Sequence, residues 1–169
     1  MAEPLIPDDA YLSLADADDL ADALPPLTTY AAATDVEKTT ALLQATIDID
    51  AAMSYQGRPY DSDQYRQFPR AFGDSNPATA SQVWDWDDDT NEAVVPADVQ
   101  RATLYQADAI LAGEREPRLA AQHDGVVYEL TGTVAESYKF NAGPGVGTGL
   151  CRRAWVIMRR YRLRGGNIL

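Results

Sequence analysis

Residues 39–70 read TTALLQATIDIDAAMSYQGRPYDSDQYRQFPR, and what this stretch does to the backbone decides the fold. Just upstream, Thr34 and Glu37 stand at the spacing of a capping box, so a helix should begin there. Val36, Thr40, Leu43, Ile47 and Ala51 then recur at spacings of four and three, and Leu42, Thr46, Ile49 and Met53 make a second stripe. Together they predict a helix over about 35–54 with a broad buried face. Gly57 is the expected stop, and Pro59 bars continuation. A polar loop follows and closes on Phe68-Pro69-Arg70. The segment carries no catalytic constellation. Its pattern is that of an element which fixes a helix end and presents it to a neighbour, and this points to an assembly protein rather than an enzyme.

On the N-terminal side, residues 1–11 are rich in Pro and Asp and should be extended. Ser13 can cap a short helix over about 14–24, with Asp16 favoured near its N-terminus, and Pro25-Pro26 ends it. On the C-terminal side, residues 71–95 look like loop, with Gly73-Asp74, Asn76-Pro77 and the acidic run Asp85 to Asp89 around Trp86. Pro96 opens a further helix at a position where its missing N–H costs nothing. Val99, Thr103, Ala107 and Ile110, with Leu104 and Leu111, give that helix an apolar face up to about Gly113. Residues 126–130 and 134–140 have strand character around Thr131-Gly132.

Gly143, Gly145, Gly147 and Gly149 then form a hinge. Beyond it, Leu150, Ala154, Ile157, Met158 and Tyr161 share one helical face, surrounded by Arg152, Arg153, Arg159, Arg160 and Arg162, until Gly165-Gly166. The expected fold is mainly α: a small helical bundle with a short β-hairpin or extended strands near 126–140 and a C-terminal helical arm. The body is expected over 1–140, with an acidic loop insertion at 74–94. The hinge and basic arm occupy 141–169.

At 169 residues the chain suits one domain and can bury a sizeable core. The start, MAEPLIPDDA, has neither the basic nor the apolar region of a signal peptide, and no apolar run reaches membrane-spanning length. Synthesis and retention in the cytosol are therefore expected, with no membrane partner. The net charge of −12 hides a division. Up to Tyr138, seven basic residues face all 26 acidic ones, a net −19, whereas Lys139 to Leu169 holds seven basic residues and no acid, a net +7. An acidic body with a basic arm suits docking to an oppositely charged partner, or self-assembly in which one subunit's arm meets its neighbour's body; solvated terminal charge is the plainer alternative.

Candidate chemistry is thin. Asp85, Asp87 and Asp89 match the first ligands of an EF-hand loop, but Thr90 stands where Gly is needed and Pro96 where a bidentate Glu is needed. An irregular divalent-ion site and a solvated loop with tryptophans turned inward remain as the two readings of that run. The stretch GPGVGTG at 143–149 lacks the Lys-Ser/Thr pair of a phosphate loop. His123 is the single histidine and stands in a polar loop, and Cys151, the single cysteine, has no second His or Cys in its sequence surroundings. No catalytic residue, metal ligand or cofactor is expected.

Several stretches do form a recognisable series. Tyr11-Leu12-Ser13-Leu14-Ala15-Asp16-Ala17 resembles the opening of the head–tail connector adaptors, or head-completion proteins, of long-tailed double-stranded DNA bacteriophages. Leu42-Leu43-Gln44-Ala45-Thr46 with Ile49-Asp50 resembles that family's central helix, Gly57-Arg58 and Phe68-Pro69-Arg70 its loop, and Val95-Pro96-Ala97-Asp98-Val99 with Ala102 its next helix start. The likeness is weaker through Val134-Ala135-Glu136-Ser137 and ends at Arg162 to Gly166. The insertion at 74–94 and the strongly basic C-terminus depart from the family pattern.

The resemblance implies a structural virion protein, not an enzyme. It would form a homo-oligomeric ring, commonly a dodecamer, beneath the portal protein, extend the DNA channel and offer a lower surface to a stopper or tail-completion protein. DNA would pass without sequence-specific binding. The ring or loop core would involve Gly57, Arg58, Phe68, Pro69, Arg70 and Pro96. The arm that meets the portal or another partner would use Arg152, Arg153, Trp155, Arg159, Arg160, Tyr161, Arg162 and Arg164. Some members of the family carry a DnaT-like single-stranded DNA-binding label. The acidic body argues against a DNA groove there, which leaves DNA binding by the basic arm as the alternative.

Overall fold

The computed structural model describes residues 9–61, 63–72, 82–83, 86–87, 92–115, 128–131, 134–137 and 149–163. The fold is mainly helical. Helix α1 (Leu14–Asp22) starts at Ser13, whose hydroxyl accepts from the Asp16 N–H at 3.1 Å. A short helix α2 (Thr28–Ala32), not expected from the sequence, follows the Pro25-Pro26 break. Helix α3 (Asp35–Ala52) opens on the expected capping box: Glu37 accepts the Thr34 N–H at 2.8 Å, and the Thr34 hydroxyl accepts the Glu37 N–H at 3.4 Å. The Thr34 N–H, together with the Thr34 hydroxyl donating to Glu37 Oε2 at 2.7 Å, holds the Glu37 carboxyl below its usual range.

Helix α3 stops five residues before Gly57. Met53 is already extended, because the next residues are taken by the C-terminal segment: Tyr55 pairs with Arg162, Gln56 N–H donates to the Tyr161 carbonyl at 2.8 Å, and Leu163 N–H donates to Ser54 at 2.8 Å. Gly57, at φ +74°, serves instead the turn into strand β1 (Arg58–Pro59). Tertiary pairing ends this helix, and the expected glycine stop does not.

The two apolar stripes of α3 also part company. Thr46, Leu42 and Ile49 are fully buried and Met53 packs at the core edge. The other stripe, expected to share the buried face, lies on the opposite side: Val36, Thr40, Ile47 and Ala51 are exposed and Leu43 is half-buried. The helix buries Ala41, Ala45 and Ala52 against α4 and Thr46 against Tyr11, and one helix cannot turn both faces inward.

Strand β1 pairs antiparallel with β2 (Arg70–Phe72), which pairs with β3 (Gln82–Val83). A second ladder joins β4 (Trp86–Asp87) to β5 (Glu92–Ala93), so the stretch expected as loop contains short paired segments. Helix α4 (Ala97–Leu111) has Pro96 at its N-cap, where the Pro96 carbonyl accepts from Val99 and Gln100. The expected hairpin forms as β6 (Tyr128–Thr131) on β7 (Val134–Ser137), in register from Tyr128↔Ser137 to Thr131↔Val134. Helix α5 (Arg152–Met158) runs into a 3-10 turn (Arg159–Tyr161).

Helices α3 and α5 both pack on α4. One core cluster gathers Tyr11, Ile49, Phe68, Val99, Met158 and Tyr161; the other joins Leu12, Tyr30, Leu42 and Leu104. The expected arm is thus part of the body over 149–163, because Ala154, Met158 and Tyr161 are fully buried. No helix among the described residues is long and apolar enough to cross a membrane. Asp85, Asp88, Asp89, His123, Gly143, Gly145, Gly147 and Arg164 lie outside the described residues.

Candidate partner interface

The loop that the sequence singles out is held from within. Phe68 is fully buried, and its ring meets Tyr11, Tyr55 and Tyr161 edge to face at 5.8, 5.0 and 5.2 Å between centroids. Such pairs add roughly 0.5–1.5 kcal/mol each beyond burial. The four rings come from the N-terminal segment, the end of α3, the loop and the C-terminal turn. Phe68 therefore ties together parts of the chain that are remote in sequence.

Polar groups beside it complete the knot. The Tyr11 hydroxyl donates to the Asp50 carboxylate and accepts from the Gln67 and Phe68 N–H groups at 3.0 and 3.2 Å. Arg66 reaches Asp50 at 3.5 Å and the Asp9 carbonyl at 2.9 Å. Burial pushes the Asp50 carboxyl above its usual range, although Tyr11, Gln67 and Arg66 pull the other way. Burial, with the charge of Asp50, drives the Tyr11 phenol well above the usual tyrosine range, and Tyr55 behaves alike.

Arg70, expected in the ring or loop core, is 5 % exposed. Its Nε donates to the Gln56 carbonyl at 2.7 Å, and Nη2 to the Gly57 and Tyr55 carbonyls at 2.5 and 3.3 Å. Nη1 takes the Gln67 backbone and side-chain oxygens at 3.2 and 2.6 Å. Burial lowers its basicity, yet an arginine stays charged under such a shift. Arg58 is half-buried in β1, and Pro69, after a cis peptide bond, accepts from Tyr60 N–H and Gln64 at 3.0 Å each. Arg70, Phe68 and Pro69 therefore make the inside of the loop. Their connection with a ring runs through the shape they impose.

A second polar hub has no counterpart in the sequence reading. Asp48, buried on α3, accepts two bonds from Arg115 Nε and Nη2 at 2.9 Å, one from Gln106 at 2.9 Å and one from Gln44 at 3.0 Å. Gln106 also donates to the Gly149 carbonyl at 3.2 Å and accepts the Cys151 N–H at 2.7 Å. Cys151 itself caps α5, accepting from Ala154 N–H at 3.4 Å. The available signal was Asp48 standing between Ala45, Ile49 and Ala52 on an apolar face, since a buried carboxylate must find donors.

The basic residues are brought together on the outside. Arg152, Arg153, Arg159, Arg160 and Arg162 are all exposed, with Val156 among them. Arg153 lies over the Tyr105 ring at 5.4 Å and Arg159 over the half-buried Trp155 at 5.5 Å. Arg160 bonds Asp98 in the first turn of α4, which also holds Arg101 at 3.6 Å. Tyr161, expected among the partner-binding side chains, points into the core instead. The arrangement is a rigid cationic face on an acidic molecule. It can dock an anionic or acidic surface. Among the described residues, no group of three or more His, Cys, Asp or Glu side chains stands ready for a metal ion.

Residues 4–154 match the family model described as "Putative DnaT-like ssDNA binding protein". The chain belongs to this family. No curated protein and no solved structure matches it. The match runs from the N-terminal segment through the knot to the start of α5, so the shared pattern covers the scaffold and only the first arginines of the cationic face.

Proposed function

We propose that the protein is a head–tail connector adaptor of a long-tailed bacteriophage: a structural subunit that forms a ring under the portal, extends the DNA channel and links the capsid to a stopper or the tail. The observation that carries this is the cationic face of α5, built onto a body whose remaining surface is acidic. The motif series that includes Phe68-Pro69-Arg70 supports it, since those residues build a scaffold. In this role the chain catalyses no reaction and needs no cofactor. It is made in the host cytoplasm and ends in the virion. Its partners are copies of itself, in a ring of about twelve by the family likeness, together with portal and tail-completion proteins.

The test is co-sedimentation with portal-bearing capsids, followed by electron microscopy for a collar. Wild-type protein should sediment with the capsids and the double variant Arg159→Glu, Arg162→Glu should stay in the supernatant. Wild-type protein that never associates, or a variant that binds as well, sinks this assignment.

The second reading is DNA binding by the same face, favoured by the family description and by the stacking of Arg153 on Tyr105 and Arg159 on Trp155. Aromatic and arginine planes are what single strands stack on. Anisotropy titrations with labelled single-stranded and duplex oligonucleotides separate the two. Tight single-strand binding, weakening on the order of tenfold or more between about 50 and 200 mM salt, supports the second reading. A flat titration removes it.

A further inference from the structure

The outward face of α3 needs a cover. Over Val36, Thr40, Leu43, Ile47 and Ala51 it runs roughly 22 Å without a charged side chain, in a chain where 24% of residues are charged. Val36 is 56% exposed and Ile47 46%. Solvent-facing helix positions normally carry charge, and an uncharged stripe bearing exposed Val36 and Ile47, with the Thr40 hydroxyl turned back onto the Val36 carbonyl, suits an interaction surface. Among the described residues the large exposed hydrophobics include two on α3 and one on α5. Val36 and Ile47 lie on α3 and Val156 on α5; Tyr65 stands in the loop, and Leu163 in the strand-like segment paired with Ser54.

The two surfaces are complementary. Asp35 and Glu37 are exposed at the first turn of α3, beside Val36. On α5, Val156 is 45% exposed and is flanked by Arg152 and Arg153 one turn earlier. One face is uncharged along its length with Asp35 and Glu37 at its N-terminal end, the other carries Val156 between arginines, and both belong to the same chain. Each is borne by a helix packed on α4, so neither can fold over to cover the other.

We propose that a second copy of the chain covers the outward face of α3, docking head to tail with its Arg152–Arg153–Val156 surface. This deepens the adaptor reading and rests on it for the expectation that the contacts run round a ring. A contact between two different patches passes from copy to copy and leaves one of each unsatisfied at the ends until the circle closes.

The test needs only the purified chain, so its failure is separate from any failure to bind capsids. Sedimentation velocity up to millimolar concentration should show wild-type species larger than the monomer. Ile47→Glu should be monomeric, as should Thr40→Arg as an independent block of the same face, and so should the double variant Arg152→Glu, Arg153→Glu. All these positions are exposed, so circular dichroism should show the wild-type fold.

Mixing Ile47→Glu with the arginine double variant should then give a one-to-one heterodimer and nothing longer, because one intact pair of faces survives. A wild-type chain that stays monomeric throughout overturns the proposal. So does a folded variant that associates like wild type, or a mixture that remains monomeric. Oxidation of an Ile47→Cys variant with a Val156→Cys variant should link the two kinds of chain; linkage only between like chains overturns the head-to-tail geometry.

Discussion

Replacing Arg70 by methionine keeps most of the side-chain volume and removes the guanidinium, which separates a fold clamp from a docking residue. Three of its contacts are short, at 2.7, 2.6 and 2.5 Å to Gln56 O, Gln67 Oε1 and Gly57 O. Hydrogen bonds from a charged donor are worth roughly 1.5–3 kcal/mol each. Gly57 is exposed and Gln67 half-buried, so water can replace part of what is lost there. The Tyr55 carbonyl, on a buried residue, has less access to solvent. Burying the guanidinium also costs free energy, and the variant recovers that cost. The net loss should be ~2–4 kcal/mol, allowing for the ~1–3 kcal/mol penalty of a buried acceptor left without a donor.

For a chain of this size, each kcal/mol moves the melting temperature by roughly 2–4 °C, so the midpoint should fall by about 5–15 °C. Differential scanning calorimetry is the assay, with Arg70→Lys beside it. Lysine retains the charge but reaches fewer of the acceptors, and should lose about half as much. A methionine variant melting within about 2 °C of wild type would refute the clamp. If that variant also failed to self-associate, Arg70 would act at a contact between copies and not as a clamp.

Three further outcomes follow from the same packing. Thr34→Ala removes the capping box and should cost about 1 kcal/mol, read as a lowered urea midpoint with an unchanged slope; an unchanged midpoint counts against the cap. Asp48→Ala leaves Arg115 and Gln106 facing an empty position and should cost ~2–4 kcal/mol, less than a fully buried pair because the Arg115 side chain is 25% exposed. Equal stability of this variant and wild type in urea would discount the hub. Asp50, whose folded-state carboxyl titrates above its ordinary value, binds its proton more tightly when folded. Its contribution is therefore full below the unfolded value and is lost as pH rises through the folded one. Wild-type stability relative to Asp50→Asn should fall as pH rises from about 4, and a difference that grows with pH would contradict the burial that raises it.

What the sequence disclosed was local. Ser13, Thr34 and Pro96 mark helix starts because their chemistry acts within one turn, and Thr131-Gly132 separates two short strands that pair with each other. Which stripe of α3 faces inward was not local. Both stripes are apolar, and the choice is made by α4 and by Tyr11, which lies 35 residues from its Thr46 partner. Arg70 is another such case: nothing nearby in the sequence announces that Tyr55, Gln56 and Gly57 turn their carbonyls toward it. The segment after Gly149 was half legible. The spacing of Ala154, Met158 and Tyr161 by four and three marks one helical face, which is the buried edge, but nothing local says that this edge packs into the body and not onto another subunit.

That last point bears on how an assembly could set its own size. A cationic segment on a tether would reach a neighbour at many angles, and its ordering on contact would be entropically costly. Here Met158 and Tyr161 are anchored in the core, Arg160 bonds Asp98, and α5 lies on α4. Because α3 lies on α4 as well, the angle between its uncharged face and the Arg152–Arg153–Val156 surface is set by the packing of three helices. In a head-to-tail contact that angle, repeated from copy to copy, determines where a ring closes. Replacing Gly143, Gly145 and Gly147 together by alanine should therefore leave the size of the assembly unchanged, whereas Ala154→Leu, which wedges α5 away from α4, should alter or abolish it. Native mass spectrometry reads both. If the glycine variant changed the number of subunits while the wedge did not, the geometry would reside in the linker and not in the helix packing.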